Sequence, residues 1–278
     1  MASARIRPMT PSDVDPVATA FLREDWGDRR RNLDFVTAHA ETRPFVAEAD
    51  GGIVGTSVLS VNGTVGWIGT VWVDPAWRRR GIGLDLTRAT IDEAEAAGCR
   101  TLVLVATEAG RPLYERLGFE VQTWYRILQI DGLDGAAADP RVRPFCAEDL
   151  DAMAALDSAA TGEDRAHLLR AFAAAGTTRV VDRADGTLGG FVVRAPWGGG
   201  ATIAPRIEDA EAILHARRVA SGSAGRVRAG LLAENGVGLE RLAALGWTES
   251  WKAPRLVRGE PLAWNPSAIW GQFNHALG

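Results

Sequence analysis

The chain opens twice. Arg5-Ile6-Arg7-Pro8 precedes Ser12-Asp13-Val14-Asp15, and Arg141-Val142-Arg143-Pro144 precedes Glu148-Asp149-Leu150-Asp151. Each reads as a strand running into a helix whose first turn is acidic, where the helix dipole favours negative charge. The ends repeat too, since Leu117-Gly118-Phe119 is echoed by Leu245-Gly246-Trp247. Matching heads and tails restrict a chain of 278 residues to a tandem of one fold. The small, turn-rich stretch from Asp131 to Pro140 is the expected linker. The expected division is therefore 1–130, a linker at 131–140, and a second copy at 141–278.

Hydrophobic periodicity fills in the first copy coarsely. A strand near 4–7 leads to helices near 11–24 and 29–39, then strands near 44–49, 53–61 and 64–73. A helix near 81–97, a buried strand at 101–106, a short helix after Pro112 and a strand ending near 130 complete it. A meander followed by a βαβ crossover implies a mixed α/β sheet flanked by helices. The second copy follows the same order, with helices near 147–157, 163–174, 208–219 and 236–245. Its strands fall near 177–182, 187–195, 201–204, 226–232 and 247–258. The tail from Leu262 carries Trp264 and Trp270 and is expected to pack down.

The chemistry is concentrated in Val71-Trp72-Val73-Asp74-Pro75-Ala76-Trp77-Arg78-Arg79-Arg80-Gly81-Ile82-Gly83-Leu84. A β-branched strand ends at proline, arginines follow, and Gly-x-Gly opens a helix. Glycines allow close backbone approach, and the first helical turn offers unpaired N–H groups at the positive end of its dipole. That combination is an anion cradle. A dinucleotide site would need a third glycine where Leu86 stands, and the chain has no Gly-Lys-Ser/Thr triplet for a nucleotide triphosphate loop.

The remaining pattern, Arg78-x-x-Gly81-x-Gly83 after a strand, resembles the acyl-CoA pyrophosphate loop of the GNAT N-acetyltransferases. Leu113-Tyr114-Glu115-Arg116-Leu117-Gly118-Phe119 resembles the second half of the GNAT core, in the right order and at a suitable separation. The resemblance implies two tandem GNAT-like domains and acetyl-CoA as cosubstrate. It implies that the strand Val71, Trp72 and Val73 presents free amides, with the Val73 N–H binding the acetyl carbonyl. The amides from Arg79 through Arg80, Gly81, Ile82 and Gly83 to Leu84 would hold the pyrophosphate, with charge from Arg78, Arg79 and Arg80. Tyr114 would protonate the CoA sulfur. Thr107 stands where family members often carry a pantetheine-contacting asparagine, and a hydroxyl can substitute there.

Aligned on the Gly-Phe and Gly-Trp pairs, at an offset of 128, the second copy lacks this equipment. Tyr114 falls on Leu242, Gly81 on Asp209 and Gly83 on Glu211, while Asn235 falls on the Thr107 position. Carboxylates there disfavour a diphosphate. The second half thus resembles the cofactor-free C-terminal domain of tandem bacterial GNAT proteins, in its Leu156–Arg165 run especially. Its expected role is to wall the acceptor cleft or to form a homodimer surface.

Net charge is −4, which disfavours a nucleic-acid partner. Two cysteines outside any Cys-x-x-Cys pair, and histidines without ligand spacing, imply no metal. No apolar run is long enough for a membrane span, so a soluble cytoplasmic protein is expected. Two functions are compatible with these residues. One is an N-acetyltransferase acting on a primary amine of a small molecule or peptide, with Tyr114 as general acid. The other is a non-catalytic acyl-CoA sensor. The base is open: residues 64–73 carry no carboxylate or histidine, and Glu24, Asp25, His39 and Glu41 are candidates, with Trp26 a candidate acceptor wall. His167, His215 and His275 lie apart from the motifs.

Overall fold

The computed structural model describes residues 4–24 and 26–278; candidate base Asp25 lies outside them. The structure is mixed α/β and forms two compact units, each with helices packed on strands. Unit one runs to Glu120 and adds Leu256–Glu260 and His275–Gly278, whereas unit two holds Val121–Arg255 and Pro261–Asn274.

Unit one contains β1 (Arg5–Pro8), α1 (Val14–Arg23), α2 (Arg30–Ala38), β2 (Thr42–Ala49), β3 (Gly52–Asn62) and β4 (Val65–Val73). Then follow α3 (Ile82–Ala96), β5 (Thr101–Val105) and α4 (Arg111–Glu115). β1 to β4 form an antiparallel meander, and α3 carries the chain over to β5, which is parallel to β4. Val14, Val17, Ala18 and Phe21 recur at helical spacing and bury one face of α1 against Val46 and Trp72. α3 covers the other face, where Ile91 and Ala94 meet Leu59, Ile68 and Leu104. Strand alternation explains the sorting: Leu59 pairs with Ile68 and their neighbours Val58 and Gly69 pair facing the α1 side.

Unit two contains β6 (Glu120–Asp131, from Val121), β7 (Val142–Pro144), α5 (Leu150–Thr161), α6 (Ala166–Phe172), β8 (Arg179–Asp182) and β9 (Leu188–Arg194). It continues with β10 (Gly200–Ile203), α7 (Ile207–Ser221), β11 (Arg226–Leu232), α8 (Gly236–Ala244), most of β12 (Thr248–Gly259) and β13 (Ile269–Gly271). One sheet has the order β13-β10-β9-β8-β7.

These units depart from a cut at residues 130 and 141. β6 pairs antiparallel with β11, from Tyr125↔Leu232 to Asp131↔Arg226, and so belongs to unit two. The slot beside β5 in unit one is taken by the end of β12. There the Thr101 hydroxyl donates to the Glu260 carbonyl at 2.7 Å, and the Glu260 amide donates to the Arg100 carbonyl at 3.0 Å. Each of the two closing strands follows a short helix and a Gly-aromatic pair, Gly118-Phe119 before β6 and Gly246-Trp247 before β12. The expected linker is also docked. The Gly132 amide donates to Gly225 at 2.9 Å, Leu133 to Arg218 at 3.0 Å, and Asp134 accepts from the Ser223 amide at 2.9 Å.

The doubled opening is doubled in three dimensions. The Arg7 guanidinium forks onto Asp13 at 2.7 and 2.9 Å and reaches Glu48 at 2.9 Å. Arg143 forks onto Asp149 at 2.8 Å twice and reaches Asp182 at 2.7 Å. Each aspartate also accepts the backbone amide three residues earlier, from Thr10 and Cys146. The arginine forks hold both buried carboxyls down at about 2. A carboxyl with a lowered folded-state pKa stabilises fully above its unfolded value near 3.8 and loses that stabilisation as pH falls toward 2. Each should contribute about 2 kcal/mol above pH 4. Urea unfolding at pH 5 and pH 3 should show the loss, and Asp13→Asn should remove about half of the pH-dependent part.

Candidate active site

β4 pairs with β5 through Val65↔Thr101, Gly66↔Leu102 and Trp67↔Val103 and no further, although β4 continues to Val73. The strands therefore part company beyond Trp67, and β4 turns unpaired backbone groups toward the gap. On its other edge β4 carries a bulge: Val58 faces Gly69 but Thr56 faces Trp72, so β4 spends one extra residue. Thr70 absorbs it at φ +52°, and the Thr56 hydroxyl donates to the Thr70 carbonyl at 2.8 Å. A β-branched residue in the left-handed region costs of order 1–3 kcal/mol, and such strain concentrates at functional sites. No sequence signal marks it, because threonine is an unfavoured residue for that conformation.

The loop after β4 is fixed by its own side chains. Asp74 accepts the Ala76 amide at 2.9 Å and sets the turn at Pro75–Trp77. Arg78 donates through Nε to the Val73 carbonyl at 3.0 Å and through Nη2 to Glu24 at 3.4 Å. Arg80 donates to the Ala76 carbonyl at 3.1 Å and lies 4.6 Å over the Trp77 ring. Arg79 sits at φ +62° and its side chain has no partner among the described residues. Of the three arginines, then, two brace the loop and one projects uncommitted. Gly81 caps α3 at φ +89°, leaving the first-turn amides of a 15-residue helix facing outward. Gly83 has another reason: a Cβ there would stand 3.3 Å from Leu113 and 3.6 Å from Val73, so it lets α4 close over the cradle.

That closure brings Tyr114 in. Tyr114 and Val71 pack against the same buried cluster as Ile68, Leu104 and Ala106, and Tyr114 meets Phe119 edge-on at 6.2 Å. Its hydroxyl has no hydrogen bond among the described residues, and burial pushes its pKa up to about 12. Thr107 is exposed and accepts the Gly110 amide at 3.1 Å, shaping the turn into α4. Trp72 is different: its side chain faces α1, 5.6 Å from Phe21, so only its backbone can face the gap.

The candidate bases scatter. Glu24 is held by Arg78, and His39 stacks on Phe35 at 4.6 Å, where burial lowers its pKa. The Glu41 carbonyl accepts the Val61 amide. Trp26 stacks on Phe21 at 4.9 Å, as part of the α1 packing. His215 bonds the Ala137 carbonyl at 2.9 Å in unit two, which also holds His167. His275, set apart from the motifs by sequence, belongs to unit one and lies against β4 at Gly69. Nothing local in the sequence marks that placement.

In unit two the corresponding helices align by their caps at an offset of 125, Gly81 with Arg206 and Gly110 with Asn235. The longer α8 restores 128 by the closing glycines. Asn235 thus matches Gly110, not Thr107, and its side chain caps α8 by accepting the Gly238 amide at 3.0 Å. Asp209 stands in the first turn of α7, buried, gripped by Arg141 at 3.0 Å and Arg183 at 2.8 Å. β13 pairs with β10 and lies against β11, filling the gap that β4 and β5 leave in unit one.

Residues 10–119 match the model of the acetyltransferase (GNAT) family, and residues 153–271 match an acetyltransferase (GNAT) domain. The chain is 27% identical over 235 residues to the uncharacterized N-acetyltransferase YitH of Bacillus subtilis (strain 168), covering 82% of each. It is 32% identical over 99 residues to a glucosamine 6-phosphate N-acetyltransferase of Trypanosoma brucei brucei, which is 33% of this chain and 64% of that one. In fold it is similar to a solved structure from Pyrococcus horikoshii (TM-score 0.82, 19% identity, 99% and 96% covered). It is also similar to a tandem GNAT protein from the clavulanic acid biosynthesis pathway (TM-score 0.62, 16% identity, 93% and 99% covered). Acyl transfer is the chemistry of this family in general, with acetyl-CoA its general cosubstrate. The chain belongs to the GNAT acetyltransferase family and carries two GNAT domains.

Proposed function

We propose that unit one transfers an acetyl group from acetyl-CoA to a primary amine of a small molecule or peptide, and that each chain uses one cofactor. The observation that carries this is the parting of β4 from β5 beyond Trp67, with the Thr70 bulge on β4's other edge and α3 and Tyr114 alongside. Acetyl-CoA supplies an activated acyl carbon and a thiol leaving group. The amides from Arg79 to Leu84 hold its pyrophosphate, and Arg79 adds the uncommitted charge. The Val73 amide donates to the developing oxyanion; fixed backbone donors of this kind are commonly a large catalytic contribution. Thr107 borders the pantetheine arm.

Tyr114 stays protonated throughout the physiological range, because burial keeps its pKa at about 12. An alkyl thiol titrates near 8.5, so complete proton transfer to a thiolate is uphill by roughly 5 kcal/mol. Tyr114 therefore acts chiefly by donating a strong hydrogen bond to sulfur as the C–S bond lengthens, with the proton following as water replenishes it. Tyr114→Phe should lower kcat by about 100-fold. Its Kd for acetyl-CoA should stay within about twofold, since the phenol binds in the transition state only. Free-thiol release across an amine panel, with calorimetry for binding, checks both. The glucosamine 6-phosphate relative makes amino sugars a sensible part of that panel.

Unit two is the degenerate copy in this reading. Asp209 supplies the α7 turn with an anion of its own, and β13 occupies the strand gap. Calorimetry should give a stoichiometry of one acetyl-CoA per chain, and two would sink the assignment.

A further inference from the structure

The last residues of the chain reach unit one on the side away from its cradle. A Cβ at Gly69 would stand 2.4 Å from Ala276 Cα and 2.7 Å from the His275 carbonyl oxygen. Asn62 Nδ2 donates to the Leu277 carbonyl at 3.0 Å. Gly69 pairs with Val58, and Asn62 lies four residues along β3 on the same face, so 275–277 run along the face that α1 covers. α3 packs the opposite face. Thr70, the bulge residue, follows Gly69 directly. β4 thus has the cofactor cradle on one side and this segment on the other, and an amine must approach the acyl carbon from the side that the cofactor leaves open.

Two observations give that side a chemical character. Buried Trp72 Nε1, in the cluster on this side, and buried Asn32 Nδ2, on α2, have no hydrogen-bond partner among the described residues. Burial first, and the charge of Arg29 second, lower the His275 pKa to about 4 and keep the ring neutral. The β3 and β4 residues on this face, Val58, Ser60, Asn62, Val65, Trp67 and Gly69, add no titratable group.

We propose that residues 275–277 form the acceptor wall of the site in unit one, and that the His275 imidazole takes the proton released by the acceptor amine. The proposal rests on the transferase reading above. The amine nitrogen forms its bond to the acyl carbon while the C–S bond breaks. The nitrogen's proton passes to an imidazole nitrogen, and sulfur receives the Tyr114 proton. Water then takes the proton from the imidazolium and returns one to the phenolate. A weak base suffices, because a nitrogen becoming an amide loses nearly all its basicity. The nitrogen needs its lone pair to attack the acyl carbon, so the acceptor reacts as the free amine. Amines of the α-amino type, titrating near 8, are then favoured over ε-amino types near 10.4, whose free fraction at pH 7.5 is roughly 200-fold smaller.

The test uses the full chain, acetyl-CoA, and a panel of amino acid amides, amino sugars and N-α-blocked lysine. His275→Ala should lose about 100-fold in kcat/KM. Its acetyl-CoA affinity should be unchanged, and added imidazole should restore part of the rate. His275→Gln keeps the side-chain volume and should show the same loss if the alanine variant misfolds. Retention of wild-type turnover in a folded variant, loss without imidazole rescue, or preference for the lysine side chain overturns the proposal. Acetyl-CoA binding by wild-type protein with no amine acetylated overturns the transferase reading itself, which needs no variant to detect.

Discussion

Arg165→Met should destabilise unit two by about 3–5 kcal/mol, the usual cost of stripping one partner from a buried ion pair. Arg165 and Asp157 are 2% and 1% exposed and joined by two bonds of 2.9 and 2.6 Å. Arg165 also lies 5.3 Å over the Phe273 ring and holds its charge against Glu163, itself buried. Methionine fills much of the volume but leaves two carboxylates without their cation. For a unit of this size the loss corresponds to a melting point lower by roughly 10 °C. The double variant Asp157→Leu with Arg165→Met should recover part of it, because only Glu163 is then left without its cation. Urea titrations followed by tryptophan fluorescence and circular dichroism measure both. A single variant costing under about 1 kcal/mol would mean that the cluster is solvated in solution.

Gly81→Val should weaken acetyl-CoA binding by about 100-fold while leaving the melting point nearly unchanged. At φ +89° a β-branched residue is strained, and the loop relieves the strain by turning its amides away from the ligand. The position is exposed, and a Cβ there meets nothing closer than Asp85 at 3.9 Å, so the fold has little to lose. Gly83→Ala is the contrast. Its Cβ presses on the end of Leu113, a flexible side chain, and should cost only about threefold in affinity. Arg79→Ala, which removes the uncommitted charge, should fall between them at about tenfold. Equal effects from all three would mean that the amides are not the binding element.

The order of elements was legible in the chain because helical and strand periods differ and most elements are long enough to show theirs. α3 and α7, each 15 residues, fall within a few residues of the expected spans. What escaped was set by distance or by brevity. β13 has three residues and no period. β6 and β12 each follow a Gly-aromatic pair, and that local signal does not say which strand either one takes as partner. The turn at Pro75–Trp77 and the start of α3 at Gly81 were readable because proline, arginine and glycine punctuate them locally. The Thr70 bulge was not, since its strain is imposed by Thr56 and the register of β3. His275 lies 161 residues beyond Tyr114, and only the folded chain shows which unit it serves.

The dependence of unit one on residues 256–260 and 275–278 reverses the usual order of biosynthesis. Domains generally fold as they leave the ribosome, the N-terminal one first. Here the unit whose sequence begins the chain lacks an edge strand until residue 260 has been made, and lacks its last packing segment until Leu277 has. The unit translated first is completed last. A product truncated before residue 256 would therefore hold residues 4–120 of unit one and lack both of the segments that complete it.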